Sequence, residues 1–135
     1  MRYKFNELKI GMKVSSKRVI TDKEIQEFAK LSKDMNPIHL NEEYAANSFF
    51  TKRIAHGMFI SSFISALIGQ ELPGEGSIYL SQSLKFLKPV FIGDEIITEV
   101  EVINLIPEKD NVELSTLCKN QEDKIVIEGK ALIKM

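Results

Sequence analysis

Ile54-Ala55-His56-Gly57-Met58-Phe59-Ile60-Ser61-Ser62-Phe63-Ile64-Ser65-Ala66-Leu67-Ile68 is the stretch on which the fold turns. It is apolar almost throughout, broken only by His56, Gly57 and small serines, and reads as a helix buried on nearly every side. It is too short and too interrupted to span a bilayer comfortably. Such a helix needs a wrapping, and the C-terminal half of the chain can supply one. From Ser77 the apolar period changes to two. Ile78, Leu80, Gln82, Leu84 and Phe86 would share one strand face, and Val100 and Val102 alternate with Glu99 and Glu101. Val112, Leu114, Thr116 and Cys118 make a third alternating set. Ile125, Ile127, Gly129, Ala131 and Ile133 make a fourth, with Glu128 and Lys130 outside. Gly93-Asp94 marks a turn between strands.

Upstream, Val14 to Ile20 reads as a first strand. Thr21-Asp22-Lys23-Glu24 is a capping box, followed by Ile25, Phe28 and Ala29 at helical spacing. That helix must stop before Pro37, because the residue preceding a proline is pushed out of the helical region. Asn41-Glu42-Glu43-Tyr44 opens a further short helix. Helices first and strands afterwards, joined by short polar turns, predict an α+β fold with an antiparallel sheet. A curved sheet wrapped around one long buried central helix is the hot-dog arrangement.

The 135 residues show no repeat or linker, so residues 1–135 read as a single domain. Hydrophobic residues make up 44% and charged residues 27%, which argues against dominant disorder. A formal charge of −1 offers no electrostatic case for nucleic acid or an anionic membrane. Met1 to Glu7 has no apolar core of a secretory signal, and the one cysteine, Cys118, cannot form an internal disulfide. A cytoplasmic protein without membrane insertion is expected. Two histidines and one cysteine, far apart in sequence, make a structural zinc site an unfavourable reading, so no metal is expected.

The chemistry is concentrated in Asp34-Met35-Asn36-Pro37-Ile38-His39, where a carboxylate and an imidazole share a short segment stiffened by Pro37. An acid at a helix C-terminus opposes the macrodipole, and a locally unfavourable residue is a candidate for function. The plainer readings are an aspartate closing an Asx-turn and a histidine satisfying a local hydrogen bond. Gly57 falls at the expected N-terminus of the buried helix, where backbone N–H groups lack intrahelical partners. It is either an oxyanion donor or a glycine required by packing, and His56 beside it reads as structural. Adding water to an α,β-unsaturated thioester needs a polarised carbonyl, a held water and a proton for C2. Two proton-trading side chains and one backbone donor suffice, without a metal or redox cofactor.

With these residues in place the chain resembles the MaoC-like (R)-specific enoyl-CoA hydratase family, in particular short bacterial members that supply polyhydroxyalkanoate synthesis. The resemblance is carried by Asp34 to His39, Tyr44-Ala45-Ala46, Ile54 to Met58, Leu72-Pro73-Gly74 and Gly76 to Leu80. Gln82-Ser83-Leu84, Phe86, Pro89-Val90-Phe91 and Gly93-Asp94-Glu95 also match. It implies a hydro-lyase that reversibly hydrates trans-2-enoyl-CoA to (3R)-3-hydroxyacyl-CoA. Asp34 and His39 would activate one water, and the Gly57 N–H would face the thioester oxygen. Asn36 would order the loop or reach substrate. Ser65 could face the pair, while Ile68 and Leu132 could floor the acyl pocket, and Lys52, Arg53, Lys85 and Lys88 could meet the phosphates of coenzyme A. Lys33 departs from the glycine or acidic residue common before the aspartate. The resemblance further implies a homodimer joined through sheet edges, with coenzyme A present only as part of the substrate. The alternatives are a hydratase or dehydratase of acyl-carrier-protein or branched enoyl thioesters, and a non-catalytic acyl-CoA-binding hot-dog module.

Overall fold

In the computed structural model, which describes residues 2–135, a 3-10 turn at Phe5–Glu7 precedes strand β1 (Lys13–Val19). Helices α1 (Asp22–Ser32), α2 (Pro37–Leu40), α3 (Glu42–Ala46) and α4 (Gly57–Gln70) come next. Strands β2 (Ile78–Gln82), β3 (Lys85–Phe86), β4 (Glu95–Ile106), β5 (Asn111–Lys119) and β6 (Ile125–Lys134) complete the chain. The strands form one six-stranded sheet in the order β1-β4-β5-β6-β2, with β3 also on β6 and every pairing antiparallel. This is the α+β hot-dog arrangement.

The inward faces of β4 and β5 follow the expected alternation: Ile96, Thr98, Val100 and Val102 are buried, as are Val112, Leu114, Thr116 and Cys118. Helix α4 lies on that surface through Phe59, Ile60, Phe63, Ile64, Leu67 and Ile68. Each such side chain is worth roughly 1.5–3 kcal/mol when fully buried. Packing therefore holds α4, because its N-cap residue His56 makes no capping bond.

Three expectations need correction. The apolar stretch from Ile54 is not helical throughout: α4 begins at Gly57, the N-terminus expected for it, because Ile54 bridges Phe91 and the Ala55 N–H donates to the Val90 carbonyl at 2.7 Å. The helix is also not enclosed on all sides, since Met58, Ser62, Ser65, Ala66 and Gly69 form a face the chain leaves open. Finally, the period-two set from Ile78 to Phe86 does not make one face. The register with β6 shifts between Tyr79 and Ser81, and Ile78, Tyr79 and Leu80 all remain exposed on this edge. An extra residue in a strand reverses which face the following side chains take.

Gly129 has a specific reason for lacking a side chain. A Cβ there would stand 1.8 Å from the Ser83 carbonyl oxygen, where the β2–β3 segment crosses β6. Among the described residues, no helix is long and apolar enough to cross a membrane.

Candidate active site

Helix α1 starts at the predicted capping box, with the Thr21 and Glu24 side chains each satisfying the other's backbone N–H. It ends at Lys33, whose φ of 66° and ψ of 14° lie in the left-handed region. A glycine is comfortable there and a lysine is not, which explains why Lys33 is the departure in this segment.

Beyond that turn, successive side-chain to backbone bonds order the chain. The Ser32 hydroxyl donates to the Phe28 carbonyl at 2.7 Å and accepts the Asp34 N–H at 3.1 Å. The Asp34 carboxylate accepts the Asn36 N–H at 3.3 Å, and Asn36 Oδ1 accepts the Ile38 N–H at 3.2 Å. Asn36 thus caps α2, with Pro37 in its first turn where a missing N–H costs nothing. The loop-ordering reading of Asn36 is the one its contacts support. The single turn of α2, which periodicity is too short to reveal, carries His39.

His39 is buried, and its Nδ1 lies 2.8 Å from the Ile54 carbonyl oxygen. A carbonyl can only accept, so Nδ1 carries the hydrogen and Nε2 presents a bare lone pair. Burial pushes the His39 pKa below the ordinary 6.5, helped by the nearby His56 and Arg53; the Ile54 bond and Asp34 act the other way. The ring is therefore neutral at neutral pH, with a nitrogen free to take a proton. Arg53 secures the other side of this residue: its Nε donates to the His39 carbonyl at 2.7 Å, Nη1 to Glu42 at 3.1 Å, and Nη2 to Asp22. The Arg53 charge is thus buried and consumed inside the protein, which removes it from the candidates for coenzyme A phosphates. Lys52 lies 4.3 Å over the Phe91 ring.

The two histidines, far apart in sequence, stack face to face with ring centres 3.8 Å apart and planes at 26°. His56 Nε2 lies 3.0 Å from the Asp34 carbonyl oxygen. Asp34, His39 and His56 each offer a side-chain atom within 4.8 Å of the others, a spacing a metal ion could bridge. The Nδ1 of His39 is taken up by the Ile54 carbonyl and the Nε2 of His56 by the Asp34 carbonyl, which leaves one ring nitrogen on each histidine for any further ligand or proton.

His39 and Gly57 face a cavity of about 260 Å³ whose other walls include Ile60, Phe86, Val90 and Ile127. Gly57 is the first residue of α4, so its N–H has no intrahelical acceptor. A Cβ on Gly57 would stand 2.6 Å from two carbons of the exposed Phe86 ring, so that ring would have to move to admit one. Asp34 is exposed and outside that lining.

Two expected site residues are not brought to it. Ser65 is exposed, two turns along α4, and does not line the cavity. Ile68 is buried in the core about 16 Å along the helix axis from Gly57, by the 1.5 Å rise per residue. Ile60 of α4 and Ile127 of β6 line the cavity instead of Ile68 and Leu132. The buried helix looks uniform in sequence, and only its packing shows which turn meets the cavity.

Comparison with known proteins accords with this geometry. The model of the family described as "MaoC like domain" matches residues 5–124. An (R)-specific enoyl-CoA hydratase of Rhodospirillum rubrum is 47% identical over 96% of this chain and 89% of its own length. The solved structure of an (R)-hydratase from A. caviae involved in PHA biosynthesis superposes with a TM-score of 0.92. It is 43% identical, covering 95% of this chain and 97% of that one. A mitochondrial 3-hydroxyacyl-[acyl-carrier-protein] dehydratase of Arabidopsis thaliana is 40% identical over 92% of this chain and 75% of its own.

Proposed function

The chain belongs to the MaoC-like domain family, and from that premise we propose how it works as an (R)-specific 2-enoyl-CoA hydratase. It adds water reversibly to trans-2-enoyl-CoA, giving (3R)-3-hydroxyacyl-CoA, and is a hydro-lyase. One observation carries the residue assignment: the Ile54 carbonyl holds His39 with a bare Nε2, a ring nitrogen of His39 lies within 4.8 Å of the Asp34 carboxylate, and His39 and Gly57 line one cavity.

Asp34 and His39 hold one water between them. Its oxygen bonds to C3 of the enoyl thioester while one of its protons passes to the pair. Electron density moves to the thioester oxygen, where the Gly57 N–H meets it. The pair then returns a proton to C2. The sum is addition of H and OH, with the residues restored and no redox change. No step calls on a metal or a further cofactor.

The open edge at β2, with Ile78, Tyr79 and Leu80 exposed, and the uncovered face of α4 support a homodimer joined through its sheets. Cys118 is buried with its thiol pushed up to about 11, which suits a reducing cytoplasm where it stays unpaired. Supply of monomers for polyhydroxyalkanoate is the role suggested by the relative from A. caviae. The likeness to the Arabidopsis dehydratase favours one second reading, action on acyl-carrier-protein thioesters.

Incubation with crotonyl-CoA tests the proposal. Absorbance of the conjugated thioester should fall, chiral analysis should return (3R)-3-hydroxybutyryl-CoA, and EDTA should leave the rate unchanged. The (3S) product, or abolition by chelator, contradicts it. A rate on crotonyl-acyl-carrier protein far above that on crotonyl-CoA would favour the second reading.

A further inference from the structure

We propose that His56 is a positioning residue for the reaction: it holds the Asp34 backbone and the plane of the His39 ring, so that both groups stay aimed at one water. This role rests on the assignment of Asp34 and His39 as the catalytic pair.

His56 is 2% exposed and does not line the cavity, so it acts through its neighbours. Its Nε2 lies 3.0 Å from the Asp34 carbonyl oxygen, which can only accept, so Nε2 donates. Its ring covers one face of His39, while the Phe28 ring meets it edge-on at 4.9 Å between centres. A displacement of His56 would therefore reach both members of the pair together, one through a hydrogen bond and the other through a ring face. Two ordinary explanations of a buried histidine fail. It stands at the N-cap of α4 yet makes no capping bond. Its Nδ1 is buried without a hydrogen-bond partner among the described residues, a burden an apolar side chain of similar size would not impose. An imidazole at such a position points to use of its other nitrogen. Arg53 completes the frame by holding the His39 carbonyl, so each member of the pair has its backbone oxygen bound by a buried basic side chain.

The test compares His56→Phe, which keeps a ring to stack on His39 but lacks the donor, with His56→Gln, whose amide can reach the Asp34 carbonyl. Wild type and Asp34→Asn serve as references, and hydration of crotonyl-CoA is followed across pH. In His56→Phe, kcat should fall at least about tenfold with KM little changed, since misplacement near 1 Å costs on the order of 100-fold. Its acid limb should move to higher pH, because His56 helps to lower the His39 pKa. Thermal stability should not fall, and His56→Gln should recover most of kcat. A folded His56→Phe with wild-type kcat and acid limb overturns the inference. So does a His56→Gln no faster than His56→Phe. If His56→Phe does not fold, His56→Asn, whose amide is too short to reach, takes its place. An active Asp34→Asn would instead defeat the underlying dyad assignment, separating the two failures.

Discussion

The segment from Asp34 to His39 and the sheet from β4 to β6 are held by opposite means. In the sheet, Val100, Val102, Val112, Leu114 and Ile133 are fully buried, and what matters is apolar area removed from water. In the segment, all but His39 and its immediate neighbours are exposed, and order comes from individual bonds such as those from Asn36 N–H to Asp34 and from Ile38 N–H to Asn36. Area tolerates exchange of similar side chains, whereas a directed bond does not. The lesson is a separation of effects: changes in the segment should act on rate, and changes in the sheet on stability.

The largest effect should come from the segment. Asp34→Asn keeps the shape but removes the charge and the capacity to take a proton. His39→Gln keeps a polar group that cannot exchange a proton near neutral pH. Either should slow crotonyl-CoA hydration by roughly 100- to 10,000-fold, the usual range for a general acid or base, with thermal unfolding little changed. Retained rate with lost stability would erase the distinction between the two regions.

Gly57 sits between the regimes, since the Phe86 ring crowds it and the proposed mechanism uses its N–H. Gly57→Ala keeps the N–H but crowds the thioester oxygen away from it, so turnover should slow by on the order of 100-fold, the scale of losing an oxyanion donor. Part of that effect could arise from the Phe86 ring, which the new methyl would strike. Adding Phe86→Ala removes the collision and leaves the crowding at the N–H. The double variant should remain slow; recovery to wild-type rate would assign Gly57 to packing alone.

On the sheet side, Leu114→Ala empties a fully buried site on β5. It should cost about 2–5 kcal/mol in denaturant unfolding, with turnover per folded molecule close to wild type. A large fall in kcat without loss of stability would break the comparison. The smallest effect belongs to Lys33, where a left-handed backbone disfavours any side chain. Lys33→Gly should raise stability by about 1 kcal/mol and leave activity unchanged.

The same contrast explains what the sequence could show. Burial follows period, so the inward residues of β4, β5 and β6 are legible from alternation alone. The edge is not, because the shift between Tyr79 and Ser81 breaks the period and no pattern announces it. Asp34 and His39 are legible as a candidate pair at short spacing, and Gly57 as the start of the apolar helix. Arg53 and His56 are not, since Arg53 reads as surface charge and His56 as remote from His39; stacking and a buried guanidinium depend on contacts between separate segments. Ser65 and Ile68 lie away from the expected place because a helix with few polar residues hides which of its turns faces the cavity.

The central claim is that Asp34 and His39 act as one unit on one shared water, and the double variant tests it most directly. With crotonyl-CoA, hydration rates of Asp34→Asn, His39→Gln and the combination should be measured on folded protein. Residues acting as a unit do not add, so the combination should be little slower than the slower single variant. Losses that multiply would show two independent contributions and contradict the shared water.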